Sequence, residues 1–70
     1  MQIYSIYYYD SDRDYFMRRE AAVECGVEYI RQICKDENWD LQETESLIND
    51  FLCGGWAYDI CALENIYVKE

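Results

Sequence analysis

The 70-residue chain contains no histidine, which removes the residue that most often carries protons in enzymes and a frequent ligand of zinc. Its four cysteines, Cys25, Cys34, Cys53 and Cys61, include no pair with the C-x-x-C spacing of zinc sites. We therefore expect neither a metal site nor a bound cofactor.

Other features of catalytic sites are also missing. Gly54 and Gly55 do not form a phosphate-binding loop, because no lysine follows them and the acidic residues around them would repel phosphate. Pairs of carboxylates are plentiful, but a glycosidase-type pair needs a walled cleft, for which 70 residues leave little room. A cysteine nucleophile has no evident base. We expect that the protein is not an enzyme.

The sequence has no apolar run near the length of about 20 residues that crosses a membrane. Residues 1–4 also lack the basic start and the apolar block of a secretory signal. Both absences favour a reducing cytoplasm. There we expect all four cysteines to be thiols, with Cys34 and Cys53 at least partly buried, because a free thiol behaves as a small hydrophobic group.

Basic residues are absent from positions 36–64, which hold eight acidic residues and account for −8 of the formal net charge of −9. These acids are Asp36, Glu37, Asp40, Glu43, Glu45, Asp50, Asp59 and Glu64. Such a concentrated negative field disfavours nucleic acid and anionic membranes and favours a basic protein surface. We therefore expect no direct binding of nucleic acid and no membrane contact.

What the chain does contain is enough apolar material for one folded domain covering residues 1–70. Its hydrophobic fraction of 51% and aromatic fraction of 17% are too high for a disordered acidic chain. A domain of this size has no room for a second core, and the sequence shows no repeat or linker. The oligomeric state is left open between a monomer and a weak homodimer.

The first part of the sequence predicts a strand followed by a polar turn. Residues 2–9 are rich in isoleucine and tyrosine, which favours a strand, and the run of three tyrosines at 7–9 must bring at least one ring to the surface. Residues 10–14 form the turn signal. Their three aspartates resemble the start of a calcium loop, but Arg13 lies among them, Tyr15 replaces the required glycine and Ala21 replaces the final glutamate.

Two helices are predicted next. From about residue 18 to 36, apolar residues recur at i, i+4, i+7 and i+11, and Gly26 among them would permit close approach of another element. The second helix begins at Asn38 or Asp40, since Asp40 and Glu43 have the spacing of a capping box. Gly54 and Gly55 end it.

The last part of the sequence is strand-like, because apolar residues occupy alternate, even-numbered positions from Trp56 to Val68, interrupted only by Glu64. Either one long bent strand or a hairpin turning at Glu64 and Asn65 explains this alternation, and we favour the hairpin because 14 residues are long for a strand in so small a domain. The predicted fold is α+β, with two helices on one face of a small antiparallel sheet in the order β-α-α-β or β-α-α-β-β.

The outer side of the second helix and the loop before it form the candidate partner-binding surface. Trp39 is either an aromatic anchor within this surface or a staple that packs the loop between the helices. The predicted residues are Asp36, Glu37, Trp39, Asp40, Glu43, Glu45 and Asp50. A secondary row on the first helix, Glu20, Glu24 and Glu28, either imitates a row of phosphates or simply complements the helix dipole.

In size, charge and α+β plan, the chain resembles the small acidic inhibitors encoded by phages and mobile elements, anti-CRISPR proteins among them. The resemblance implies a non-enzymatic inhibitor that imitates nucleic acid and binds a basic nucleic-acid-binding protein, with a CRISPR effector subunit as the leading partner. No individual residue is assigned a role by it. The alternatives are a small structural or accessory protein and an antitoxin-like acidic partner of a basic toxin.

Overall fold

The described part of the chain forms four strands and two helices in the order β-β-α-α-β-β. The computed structural model describes residues 1–10 and 12–67. The elements are β1 (Gln2–Tyr8), β2 (Arg13–Phe16), α1 (Arg19–Asp36), α2 (Leu41–Leu52), β3 (Trp56–Ala57) and β4 (Cys61–Tyr67). The α+β class and the antiparallel sheet with two helices are confirmed, while the order of elements contains one more strand before the helices than we predicted.

The four strands form one antiparallel sheet in the order β2-β1-β4-β3. β1 and β4 lie at its centre and pair along seven residues, from Gln2 opposite Tyr67 to Tyr8 opposite Cys61. We call the side of the sheet that packs against the helices the inner face and the opposite side the outer face. Ile6 and Leu63 are paired on the inner face, and both are buried in the core.

The additional strand is β2, whose first residues belong to the segment that we predicted to be a polar turn. The turn is shorter than expected, because the amide of Tyr8 donates a hydrogen bond of 2.9 Å to the carbonyl of Asp12 and closes a β1–β2 hairpin. Arg13 and Asp14 therefore pair with β1. A short edge strand tolerates such charged residues, which also discourage pairing with a further chain.

The predicted hairpin at Glu64 and Asn65 is wrong, and so is a single continuous strand. The chain turns at residues 57–60, where the amide of Ile60 donates to the carbonyl of Ala57 at 3.0 Å, and Glu64 and Asn65 lie within β4. The seven-residue pairing with β1 keeps β4 straight through them. Val68, the last residue of the predicted alternation, lies outside the described residues.

This turn also decides which alternating residues of β4 reach the core. Cys61 and Leu63 belong to the core on the inner face, together with Ala57 of β3. The even-numbered residues Ala62 and Ile66 lie opposite Tyr7 and Ile3 of β1, on the outer face. The apolar alternation of the sequence therefore marks the outer face of the sheet in this region.

Both helices end in Schellman motifs. After α1, Asn38 has a φ of 60°, and the amides of Asn38 and Trp39 donate to the carbonyls of Lys35 and Cys34. After α2, Gly54 has a φ of 88° and takes the equivalent position. The end of α2 at the glycine pair is confirmed, as is the helical segment that we predicted near residues 18–36. Within residues 1–10 and 12–67, no helix is both long and apolar enough to span a membrane.

The two helices approach each other closely at Gly26, against which the ring of Phe51 packs. A Cβ atom at Gly26 would meet Cζ of Phe51 and would lie 2.6 and 2.8 Å from its two Cε atoms. Phe51 is fully buried, so its ring has no room to move away. The expectation that Gly26 permits close approach is confirmed.

All four cysteines are free thiols, but they differ in exposure. Cys34 and Cys61 are buried, Cys25 is half-buried and Cys53 is exposed. The predicted burial of Cys53 is wrong, because this residue caps the carboxyl end of α2, beyond the last inward-facing residue, Phe51. Burial raises the pKa of the Cys61 thiol to about 12.

We expect the substitution Gly26→Ala to destabilise the protein, although the same change on an open helix surface would stabilise it by about 1 kcal/mol. The added methyl group overpacks the helix interface, which typically costs about 1–3 kcal/mol. Urea unfolding followed by circular dichroism measures the change. The double variant Gly26→Ala with Phe51→Leu should lose less than the sum of the two single changes. Unchanged stability of Gly26→Ala alone would show that the helices do not approach as described.

The exposure of the cysteines predicts their reactivity towards an alkylating reagent. At neutral pH in the native protein, Cys53 should react first, whereas Cys34 and Cys61 should be protected by burial, Cys61 also by its raised pKa. Unfolding should release all four thiols. Because the pKa of Cys61 is raised in the folded state, the contribution of the protonated thiol to stability is complete below the ordinary pKa of 9.0 and is lost as the pH rises towards about 12. Peptide mass spectrometry after timed labelling measures the order in which the four thiols react. Early labelling of Cys61 would contradict the prediction.

Candidate partner-binding surface

Charge is distributed unequally between the two sides of the molecule. Among the described residues, the outer face of the sheet carries one cation and one anion, Arg13 and Glu64, whose side chains form an ion pair with an Nη1–Oε2 distance of 3.2 Å. By strand register, the described residues of this face are Ile3, Ser5, Tyr7, Arg13, Tyr15, Trp56, Ala62, Glu64 and Ile66. Their formal charge is therefore zero. Apart from Asp14 of β2, the excess of acids among the described residues belongs to the helices and loops.

The three predicted acids of α2, Glu43, Glu45 and Asp50, are all exposed. They do not form one row, because successive helical residues are turned by about 100°. Glu43 and Asp50 lie on one flank of α2, and Glu45 lies on the other flank, roughly 150° away around the axis. Between the flanks lie the neutral residues Gln42, Ser46 and Asn49. The helix thus presents two acidic edges separated by a polar strip.

Four further predicted residues are Asp36, the last residue of α1, and Glu37, Trp39 and Asp40 in the loop between the helices. The side chains of two of these acids accept hydrogen bonds within the fold. Asp40 is the N-cap of α2, and its Oδ1 accepts a hydrogen bond of 2.7 Å from the amide of Glu43. Asp36 is exposed, and its Oδ1 accepts a bond of 3.0 Å from Nε2 of Gln32. Glu37, also exposed, is the C-cap of α1. One carboxylate oxygen of Asp40 and one of Asp36 thus accept hydrogen bonds within the protein.

Trp39 is half-buried and packs against the core. Its ring lies 5.6 Å from that of Tyr58, measured between centroids, at an interplanar angle of 59°. With Glu37, Asp59 and other residues, the two rings line a cleft of about 260 Å³. Packing by Trp39 fastens the loop between the helices, and the cleft leaves part of its ring accessible, so the two predicted roles are compatible.

The secondary row on α1, Glu20, Glu24 and Glu28, is exposed along its length. Arg31 and Lys35 follow on the same side of the helix and are exposed as well. Acids near the start of a helix and bases near its end complement the helix dipole. The row therefore has a structural explanation, and its field is diluted at the carboxyl end.

The acids of the helices form no ion pair with any residue that the structure describes. Among residues 1–10 and 12–67, the ion pair between Arg13 and Glu64 is the only one. The guanidinium of Arg19 instead contacts the carbonyl of Leu52 at 3.5 Å. Carboxylates without a partner remain hydrated and can pair with cations of another molecule.

Our sequence reasoning missed an acidic basin at the β1–β2 hairpin. Asp10, Asp12 and Asp14 line a concave region of about 340 Å³ together with Tyr8 and Tyr29, whose rings meet edge to face at 4.8 Å. The hydroxyl of Tyr8 donates to Oδ2 of Asp14 at 2.8 Å, and burial raises the pKa of Tyr8. The described part of the chain contains no group of side chains disposed to hold a metal ion. The alternating aspartates were the signal, which we interpreted as a turn and compared with a calcium loop, without predicting a concave acidic surface.

A second feature missed from the sequence is an aromatic end of the sheet next to the turn at residues 57–60. Tyr9, Trp56 and Tyr58 are exposed and, with Asp59, line a cleft of about 380 Å³. The tyrosine run predicted at least one ring at the surface, and Tyr9 is exposed. Nothing in the sequence indicated that it meets Trp56 and Tyr58, because that proximity depends on the pairing of β1 with β4.

Comparison with known proteins adds no relative of this chain. No protein-family model, curated protein or solved structure matches it. The functional inference therefore rests on the side chains described above.

Two substitutions of Asp40 separate its capping role from its charge. Asp40→Ala removes the acceptor of the Glu43 amide and should lower the free energy of unfolding by about 1 kcal/mol. Asp40→Asn removes the same charge but keeps an acceptor, so its stability should stay near that of the wild type. Thermal unfolding of both variants measures the difference. Equal losses in the two would mean that the charge, and not the cap, stabilises α2.

Proposed function

We propose that the protein is a non-enzymatic inhibitor that binds a basic nucleic-acid-binding surface of a bacterial protein complex. The observation that carries the proposal is the uncompensated charge of the helical side, since the described residues form an ion pair only on the outer face of the sheet. A CRISPR effector subunit is the leading candidate for the partner, in keeping with the resemblance to small acidic inhibitors.

The electrostatics favour binding through many weak contacts. An exposed ion pair contributes about 0.2–1 kcal/mol, so several are needed for a stable complex. The acids of α2 and the loop supply several, and none of them is paired with a cation of the described part of the chain. Their common field also attracts a basic surface before contact, which raises the association rate by about 10–10³-fold at low salt.

Rigid placement distinguishes these acids from a flexible acidic tail. Glu43 and Asp50 lie two turns apart on a helix that is capped at both ends and packed on the core through Phe51. Holding the carboxylates in place before binding lowers the entropy that must be lost in the complex. Such fixed charges can occupy several cation sites of a nucleic-acid-binding surface at once.

The accessory-protein alternative is favoured by a different observation, on the outer face of the sheet. Tyr15 and Trp56 are exposed there, and the buried Oγ of Ser5 has no hydrogen-bond partner among residues 1–10 and 12–67. A subunit docked on this neutral face would leave the acids of the helices to provide solubility. The two functions therefore use opposite sides of the molecule and can be separated by substitutions.

Reversing three charges on α2, Glu43→Lys, Glu45→Lys and Asp50→Lys, tests the proposed surface. We expect the affinity for the partner to fall by about 2–4 kcal/mol, because each change removes an attraction of about 0.2–1 kcal/mol and adds a comparable repulsion. Inhibition of DNA binding by CRISPR effectors, with titration calorimetry on any effector that responds, measures the effect. Wild-type binding should also weaken steeply between about 50 and about 200 mM salt.

The matched control reverses the row on α1, Glu20→Lys, Glu24→Lys and Glu28→Lys. It changes the net charge by the same amount, but we expect a smaller loss of affinity, because Arg31 and Lys35 already dilute that field. Circular dichroism establishes that both triple variants are folded. Intact binding after the reversal on α2 would refute the inhibitor proposal and leave the acids as solubilising groups.

A further inference from the structure

The turn at residues 57–60 holds its first central residue in a costly backbone conformation. Tyr58 has a φ of 51°, and Asn38 is the only other non-glycine residue with positive φ among those described. Turns with a positive φ at this position favour glycine, because a Cβ atom there is strained. At position 58, tyrosine is therefore less favourable for stability than glycine would be.

Burial of the ring does not compensate for the strain. The side chain of Tyr58 is 64% exposed, so most of its surface contributes nothing to the core. Its contact with the fold is the tilted packing against Trp39. Strain of this kind, held by the surrounding structure, is typical of binding sites.

The ring of Tyr58 divides two clefts at the end of the sheet. The inner cleft is lined by Ile33, Glu37, Trp39, Tyr58, Asp59 and Ile60, and the outer cleft by Tyr9, Trp56, Tyr58 and Asp59. Each cleft thus combines exposed aromatic rings with at least one carboxylate, and none of its lining residues is basic. Tyrosine and tryptophan in this setting are the residues that most often dominate the energy of protein interfaces.

Aromatic rings beside carboxylates suit the guanidinium group of arginine. Its plane stacks on a ring while its N–H groups bond a carboxylate, which the compact ammonium of lysine does less well. The protein contains an internal example of this recognition. The guanidinium of Arg13 lies 4.6 Å from the centre of the Tyr7 ring, and its Nη1 bonds Glu64. The clefts beside Tyr58 offer the same two groups to an external cation.

We propose that the two clefts on either side of Tyr58 form an arginine-binding site, which takes guanidinium groups presented by the basic surface of the partner protein. The inference rests on the proposed function, because Glu37 and Trp39 belong to the surface assigned to that partner. It adds a chemical preference, for arginine over lysine, that charge alone does not produce. Tyr58 stacks on the guanidinium, Trp39 supports the ring of Tyr58 from within the inner cleft, and Asp59 and Glu37 accept the hydrogen bonds of the guanidinium.

The test compares oligo-arginine with oligo-lysine peptides of equal length, which carry the same charge. We expect oligo-arginine to bind about fivefold more tightly, because one exposed cation–π contact of about this strength is gained. Calorimetric titrations give the two affinities. The indole N–H signals of Trp39 and Trp56 in NMR spectra report whether the peptide occupies the clefts.

The preference should depend on Tyr58 and not on exposed aromatic surface in general. Tyr58→Leu should make the two affinities equal, whereas Tyr15→Leu, which alters a residue of the same 64% exposure on β2, should leave the ratio unchanged. Asp59→Asn should reduce the ratio. Tyr58→Gly removes the strain at the turn, so it should stay folded and still lose the preference.

The possible outcomes distinguish a failure of the arginine site from a failure of the proposed function. Arginine preference that disappears in the Tyr58 variants supports the site. Equal affinity for the two peptides in the wild type overturns the site but leaves binding by charge intact. A preference that survives Tyr58→Leu and Tyr58→Gly also overturns it. If neither peptide binds, the site and the acidic binding surface both fail. The triple reversal on α2 should weaken both peptides and keep their ratio.

Discussion

The pairing of β1 with β4 is the constraint on which the rest of the structure depends. It joins residues from the two ends of the chain over seven positions and makes them the centre of the sheet. Since the register places Ile6 opposite Leu63, it selects Cys61 and Leu63 of β4 for the core. It also brings Tyr9 to the turn at residues 57–60, where the amide of Tyr9 donates to the carbonyl of Ile60. The core and the aromatic end of the sheet thus have one origin.

The same arrangement separates charge from apolar surface. The helices cover the inner face and turn their acids to solvent, while the outer face carries aromatic rings and the ion pair of Arg13 with Glu64. A molecule built in this way has one strongly negative side and one neutral side. The helical side can therefore bind a partner by charge while the sheet has a different role. Substitutions can test the two sides separately, because a change on one side leaves the electrostatic field of the other nearly unchanged.

Within the negative side, the acids differ in what they do for the fold. Asp40 caps a helix and Trp39 packs the loop, so their substitution affects stability as well as any complex. Glu43, Glu45 and Asp50 are exposed and form no ion pair with the described residues. Tyr58 shows the opposite relation to stability, since its backbone conformation is costly and its ring is mostly exposed. Glu43, Glu45, Asp50 and Tyr58 thus contribute little to the stability of the fold, and binding of a partner would explain their presence.

The sequence by itself determined the features that depend on neighbours along the chain. Helical periodicity, the cap at Asp40 and the glycine pair after α2 act within a few residues, which is why both helices were predicted near their true ends. The tertiary structure decided what depends on distant residues. The β2 strand and the turn at 57–60 follow from pairing with β1, and the clefts beside Tyr58 unite three segments that no local pattern connects. Register is a long-range property, and a shift of one residue exchanges the two faces of a strand.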